Sequence, residues 1–111
     1  MRLYYKKDEY VADGSIAIST WMADEECGGM LVPYGPVTVC LAGYGKTPDK
    51  GHVYMPTYKM TPEYRAQVLK DIAEEIVCEI PIGYGSGLYV KLKKDWEKNV
   101  WMLGQEVEND N

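Results

Sequence analysis

The sequence contains no phenylalanine and a single histidine, His52. A Ser–His or Cys–His nucleophile would therefore depend on this one imidazole. No Gly-x-Ser-x-Gly motif surrounds any serine, so the nucleophile signature of many hydrolases is absent. His52 precedes Val53 and Met55, a pattern typical of a strand edge, and we interpret it as a structural residue. Because no complete catalytic set is visible, we expect a protein that is not an enzyme.

Cysteine is also scarce, and the three thiols, Cys27, Cys40 and Cys78, lie far apart in the sequence. Structural zinc sites are usually built from closely spaced pairs such as Cys-x-x-Cys, and this chain has none. We therefore predict no metal and no other cofactor. An odd number of widely spaced cysteines indicates reduced thiols, as in a cytoplasmic protein.

Long apolar runs are missing, since no segment approaches the roughly 18 consecutive apolar residues of a membrane-spanning helix. The first ten residues, MRLYYKKDEY, lack the apolar core of a signal peptide. The net charge of −5 disfavours contact with the phosphates of nucleic acids. These features predict a cytoplasmic location, no membrane contact and no direct binding of nucleic acid.

The composition that remains is that of a folded protein, with 46% hydrophobic and 26% charged residues in a chain of 111. A chain of this length fits one domain and can bury a core without metals or disulfides. We predict a single domain over residues 1–103. The polar, acidic residues 104–111 are expected to form a disordered tail.

Short alternating segments predict an antiparallel sheet. Asp13 and Gly14 form a tight-turn signal between two strand candidates, which predicts a hairpin with a loop that can exceed two residues. The β-branched segment 37–42, VTVCLA, is the best candidate for a central strand. The segment 30–36, MLVPYGP, carries two prolines and is predicted to interrupt any central strand. Further strands are predicted over residues 52–55 and 88–93.

One helix is predicted after Thr61, a natural N-cap, with Pro62 at the first helical position. Apolar residues then recur every four positions on one stripe; they are Tyr64, Val68, Ile72 and Ile76, with Leu69, Ala73 and Val77 beside them. The helix must end before Pro81, because the residue that precedes a proline avoids helical geometry.

The C-terminal segment 95–103 leaves two alternatives open. It forms either a hairpin turn at residues 95–99 that leads into a strand, which we favour, or a short helix with Trp96 and Val100 on one face. The predicted order of elements gives an α+β fold. It has a mostly antiparallel sheet of about five or six strands, with one main helix packed on one face.

Three glycines alternate at Gly83, Gly85 and Gly87. A dinucleotide-binding or P-loop motif needs such glycines between a strand and the N-terminus of a helix. Here they follow the predicted helix and precede a strand, so we expect a flexible connection with positive φ angles. The alternative is a recognition loop that presents Tyr84 and Tyr89.

Aromatic residues are the most unusual part of the composition, with ten tyrosines and three tryptophans. Tyrosine and tryptophan are enriched at protein interfaces. We therefore predict a domain that acts through contacts with an unknown protein partner or with a second copy of itself. The candidate interaction surface consists of Tyr34, Tyr44, Tyr54, Tyr58, Tyr84 and Tyr89.

Two other functions stay open. Clustered carboxylates at residues 24–26 and at Asp71, Glu74 and Glu75 are interpreted as solvated surface. They could instead form an acidic inhibitor of a DNA-handling enzyme, as antirestriction proteins do. A binder of small ligands near His52 and the loop 83–87 is the third hypothesis.

Four strings in the chain, LYYKKDEYVADGSIAIS, VTVCLA, a helix that ends in EEI, and GSGLYVKL, together resemble a small bacterial family. That family is known only as a domain of unknown function and is often encoded on plasmids, conjugative elements and phage-like regions. The resemblance covers Leu3 to Leu92. This chain departs from the family at HVYMPTYKM, where members tend to carry a turn rich in Asp and Asn, and in the tail after Leu92. The resemblance implies the α+β layout and offers no catalytic residues to carry over.

Overall fold

The computed structural model describes residues 2–83 and 85–103 and confirms an α+β fold that is mostly antiparallel. Within these residues it contains seven strands and one α-helix. The elements are β1 (Leu3–Glu9), β2 (Ile16–Asp24), β3 (Met30–Pro36), β4 (His52–Met55), α1 (Pro62–Ile72), β5 (Ala73–Ile82), β6 (Gly85–Leu92) and β7 (Trp101–Met102). The acidic tail over residues 104–111 lies outside the described part of the chain.

The strands divide into two sheets, where the sequence predicted one. The first has the order β3-β2-β1-β7, and the second has the order β4-β6-β5. Every neighbouring pair is antiparallel except β1 and β7, which are parallel. Over residues 2–83 and 85–103, no helix has the length and apolar character needed to cross a membrane.

The first hairpin forms as predicted, with Leu3 of β1 opposite Met22 of β2. Its loop is longer than two residues. The Tyr10 amide donates to the Ser15 carbonyl at 2.8 Å, and Gly14 has a φ of 71°. This left-handed conformation is easily adopted only by a residue without a Cβ atom.

The helix begins as predicted but ends much earlier. The Thr61 hydroxyl accepts a hydrogen bond from the Tyr64 amide at 3.2 Å, and α1 stops at Ile72. The predicted continuation through Ile76 and Val77 is wrong, because that segment forms β5 and pairs with β6. Both residues are β-branched and favour extended backbone, a preference that the four-residue periodicity of the sequence hid.

The segment 37–42 is not a strand, so the prediction of a central strand there is wrong. Val37 packs in the core cluster and Leu41 is also buried, both on irregular backbone. The preceding residues form β3 despite Pro33 and Pro36. A strand at the edge of a sheet tolerates proline because its outer N–H groups need no partner, and β3 is such an edge.

The C-terminal segment combines parts of both alternatives. Residues Trp96–Asn99 form a single 3₁₀ turn, and the short β7 then pairs with β1 rather than with β6. Trp96 is buried, and its ring packs edge-on against Tyr5 with 6.1 Å between the ring centroids.

One hydrophobic cluster joins α1 to both sheets. The helix contributes Tyr64, Val68 and Ile72, and each buried apolar side chain of this size stabilises a fold by roughly 1.5–3 kcal/mol. The Tyr64 hydroxyl hydrogen-bonds the Thr20 hydroxyl in β2 at 2.5 Å and donates to the Gly35 carbonyl in β3 at 3.1 Å. Burial raises the pKa of this phenol.

Replacing Tyr64 by phenylalanine tests how strongly this link holds the helix to the first sheet. We expect Tyr64→Phe to lower the free energy of unfolding by about 1–2 kcal/mol, because buried oxygen atoms of Thr20 and Gly35 lose a partner. The midpoint of urea unfolding measures the change.

Tyr34→Phe is the matched control. The Tyr34 ring packs edge-on against Tyr64 with 5.0 Å between centroids. Its hydroxyl makes no hydrogen bond to the described residues, so removing it should leave the midpoint nearly unchanged. Equal effects of the two substitutions would contradict a specific role for the Tyr64 hydroxyl.

Candidate functional site

The structure distributes the predicted interaction tyrosines over three places. Tyr34 lies on β3 beside the helix. Tyr54 and Tyr89 lie on neighbouring strands of the second sheet, and Tyr44 and Tyr58 share one cleft. Tyr84 lies outside the described residues. The six residues therefore do not form one continuous surface, and only two neighbouring pairs emerge from them.

Tyr54 and Tyr89 belong to a ladder of aromatic rings that also includes His52. The ring centroids of His52 and Tyr89 are 5.2 Å apart, and those of Tyr89 and Tyr54 are 5.0 Å apart. The Tyr89 hydroxyl donates to the Asp49 carboxylate and accepts from the Asp49 amide, both at 2.9 Å. The Nδ1 atom of His52 lies 2.9 Å from the Lys50 carbonyl oxygen. These contacts hold the rings on a strand pair. Tyr89 lies in β6, within the strand predicted over residues 88–93, and not on the recognition loop that was the alternative.

Tyr44 and Tyr58 line an open cleft of about 460 Å³. They are 72% and 49% exposed, so both rings are accessible to a partner. The rest of the lining consists of Val39, Cys40, Leu41, Ile82, Gly83 and Gly85. The cleft therefore combines apolar walls with two partly exposed tyrosines.

A short 3₁₀ turn holds Tyr44 at the mouth of the cleft. The turn spans Ala42–Tyr44, and Gly45 ends it with a φ of 72°. A second cavity of about 270 Å³ shares Tyr44 and Ile82 with the cleft and adds Lys46 and Pro81. We call the two cavities together the tyrosine cleft. Lys46 lines this cleft, and the Lys59 ammonium group lies 5.7 Å from the centre of the Tyr58 ring.

Gly83 and Gly85 of the glycine run line the cleft, with Gly85 directly against the Tyr58 ring, and the structure explains the spacing of the run by packing. Gly83 lies in the β5–β6 turn with a φ of 57°, and Gly85 and Gly87 lie within β6. A Cβ atom on Gly85 would lie 2.8 Å from the Tyr58 ring, and one on Gly87 would overlap the Met55 carbonyl and the Ile82 side chain. The prediction that the run follows a helix is wrong, because it joins two strands.

His52 and the glycine run lie in separate places. His52 lines a cavity of about 260 Å³ together with Asp13 and Thr47. Asp13 accepts hydrogen bonds from the Ser15 hydroxyl and amide and from the Thr47 hydroxyl, which lower the pKa of its carboxyl group. This cavity shares none of its described lining residues with the tyrosine cleft. A single ligand pocket formed by His52 and the glycine run is therefore not present in the described structure.

The chemistry of the tyrosine cleft suits binding. Its walls offer apolar contact, and its phenols and Lys46 offer hydrogen bonds at the rim. Among residues 2–83 and 85–103, no group of three His, Cys, Asp or Glu side chains is placed to hold a metal ion.

The sequence predicted two of the cleft residues, Tyr44 and Tyr58, as part of an interaction surface. It missed Val39 and Leu41, which were assigned to a central strand, because no local signal in the sequence marks them as cleft residues.

Comparison with known proteins gives no further assignment. No protein-family model, no curated protein and no solved structure matches this chain. The resemblance to a family encoded on mobile elements stays a prediction.

Gly87→Ala tests the packing explanation of the glycine run. We expect a loss of about 1–3 kcal/mol in the free energy of unfolding, since an added methyl group must displace backbone and a core side chain. Thermal or urea unfolding measures it.

Gly43→Ala is the control, because a Cβ atom at Gly43 would meet no atom within 4 Å. This substitution should change the stability by less than about 0.5 kcal/mol, as is usual for exposed sites. A stable Gly87→Ala variant would show that the glycine serves something other than close packing.

Proposed function

We propose that this chain is a non-enzymatic domain that binds another protein through the tyrosine cleft. The observation that carries the proposal is the exposure of Tyr44 and Tyr58 against apolar walls. Aromatic side chains that fill or line a pocket supply a large share of the energy at protein interfaces. A partner side chain in the cleft would cover both rings and leave their hydroxyls at the polar rim, where Lys46 lies.

The arrangement of the cleft supports a preformed binding site. The glycines of β6 allow Tyr58 to pack directly on the sheet, and the turn at Ala42–Tyr44 holds the opposite side. Because the cleft is already formed in the chain without a partner, binding needs less rearrangement than it would on an unformed surface.

The cellular setting is also part of the proposal. Cys40 and Cys78 are free thiols, which suits a reducing compartment such as the cytoplasm. The resemblance to proteins of mobile elements supports a role as an accessory product of such an element. An acidic inhibitor of a DNA-handling enzyme stays the alternative, and an electrostatic map would support it if exposed carboxylates followed the spacing of duplex phosphates.

Selection from a random peptide library on the immobilised full chain tests the binding function with no partner specified in advance. We expect enriched peptides whose affinity falls at least roughly tenfold when Tyr44 and Tyr58 are both changed to alanine, a loss of the size seen for interface anchors. Fluorescence anisotropy of labelled peptides measures the affinity.

Tyr34→Ala is the control, since it removes a partly exposed tyrosine outside the cleft. Urea unfolding of each variant confirms that the fold survives. Absence of any enriched peptide, or equal binding to the double variant, would count against the proposal.

A further inference from the structure

Within residues 2–83 and 85–103, the second sheet has one long edge that pairs with no other strand. This edge belongs to β5, which runs over ten residues and is joined to β6 on its other side. Among the described residues, no backbone hydrogen bond joins its outer edge to another segment. An edge of this kind presents a row of N–H and C=O groups that can pair with an added strand.

The other strand edges are each obstructed. The Val39 amide donates to the Tyr54 carbonyl at 2.9 Å and so occupies part of the β4 edge. β3 contains two prolines in seven residues, Pro33 and Pro36, which cannot donate, and β7 has only two residues. β5 has one proline in ten residues, Pro81, near its C-terminal end. Of the described strands, β5 is therefore the one best able to accept a partner.

The side chains of β5 indicate the chemistry of that partner. Ile76 and Val77 are 49% and 44% exposed at the middle of the strand. Glu75 and Glu79 flank them, and neither has an ion-pair partner among the described residues, whereas Glu74 pairs with Lys91 at 3.1 Å. The exposed middle of β5 is apolar and has a free carboxylate at each end. A complementary partner segment would have an apolar middle and a basic residue at each end.

The register of β5 fixes the spacing of those basic residues. Glu75 lies opposite Lys91 and Glu79 lies opposite Leu88 in β6. Four steps along β5 thus match three along β6, because a bulge at Val77 leaves that residue without a partner. Lys91 and Leu88 are three residues apart, so the two glutamates lie on opposite faces of the sheet. A strand that meets both carboxylates needs basic residues separated by an odd number of positions.

We propose that β5 binds an extended segment of another protein as an added strand, in which two basic residues three positions apart pair with Glu75 and Glu79. The inference rests on the proposed function and names the chemistry of the partner. β5 also leads into the tyrosine cleft, which Pro81 and Ile82 line. An added strand that continues past Glu79 therefore runs toward the cleft.

A second copy of this chain fits the edge poorly. A second β5 strand carries three glutamates and no lysine or arginine. It therefore brings further negative charge to the edge and offers no basic residue to pair with Glu75 or Glu79. The same carboxylates that attract a basic segment therefore disfavour self-association.

Two synthetic peptides of seven residues and identical composition test the spacing. Each contains two lysines and three valines between terminal threonines, with the lysines three positions apart in one peptide and two apart in the other. NMR titration of the isotopically labelled full chain should show roughly fivefold tighter binding of the first, with the perturbed amides in β5, because only that spacing reaches both faces. Equal affinity of the two peptides would contradict the proposed three-residue spacing of the basic residues.

Charge-reversal variants test the two carboxylates. The double variant Glu75→Lys and Glu79→Lys should bind the first peptide roughly tenfold more weakly. The control, Glu25→Lys and Glu26→Lys, makes the same change in net charge at the turn Glu25–Cys27 and should change the affinity less than about twofold. Equal losses in both variants would show a general charge effect and overturn the proposal.

Backbone pairing is tested by N-methylation of alternate peptide amides. Methylating one of the two alternate sets of amides should abolish binding and methylating the other should preserve it, because every second amide of an added strand faces β5.

The outcomes distinguish this inference from the proposed function. If neither set of methyl groups changes binding while library peptides still depend on Tyr44 and Tyr58, the added strand is wrong and the proposed function stands. If neither the synthetic peptides nor the library peptides bind, the added strand and the proposed function both fail. A dimer joined through Cys78 of the two copies would overturn the proposal by showing a second copy at this edge.

Discussion

The buried face of α1 is the contact on which the rest of the structure depends. Val68 and Ile72 pack in the cluster that contains residues of both sheets, and Tyr64 adds hydrogen bonds to β2 and β3. Without this helix the two sheets would share far less apolar surface, and a three-stranded sheet by itself is near the lower limit of independent stability. The helix thus sets where the second sheet lies, and with it the position of the tyrosine cleft and the free edge of β5.

The tyrosine cleft and the β5 edge arise from the same hairpin. Gly83 turns the chain between β5 and β6, and Gly85 lets the Tyr58 ring lie against the sheet. The two free glutamates stand along the strand that leads into this turn. Proteins that bind extended segments commonly combine a sheet edge, which supplies main-chain hydrogen bonds, with a pocket that selects one side chain. The arrangement here places both elements next to each other.

Local signals in the sequence were sufficient for several elements. The Asp13–Gly14 turn marked the first hairpin, and Thr61 with Pro62 marked the start of α1, because turn and cap geometry depends on adjacent residues. The α+β class followed from these elements. The tyrosines of the cleft were found by composition, but the same reasoning grouped them with Tyr34, Tyr54 and Tyr89, which lie elsewhere.

The remaining features were decided by tertiary contacts. Ile76 and Val77 continue the helical period of Tyr64, Val68 and Ile72, yet pairing with β6 draws them into a strand. The segment 37–42 has the composition of a strand but serves as irregular backbone with buried anchors. The sequence by itself therefore determined where the hairpin turns and where the helix begins, because those depend on neighbouring residues. Only the tertiary structure decided where the helix ends, how the strands divide into two sheets and which edge stays open, because these depend on pairing between distant residues.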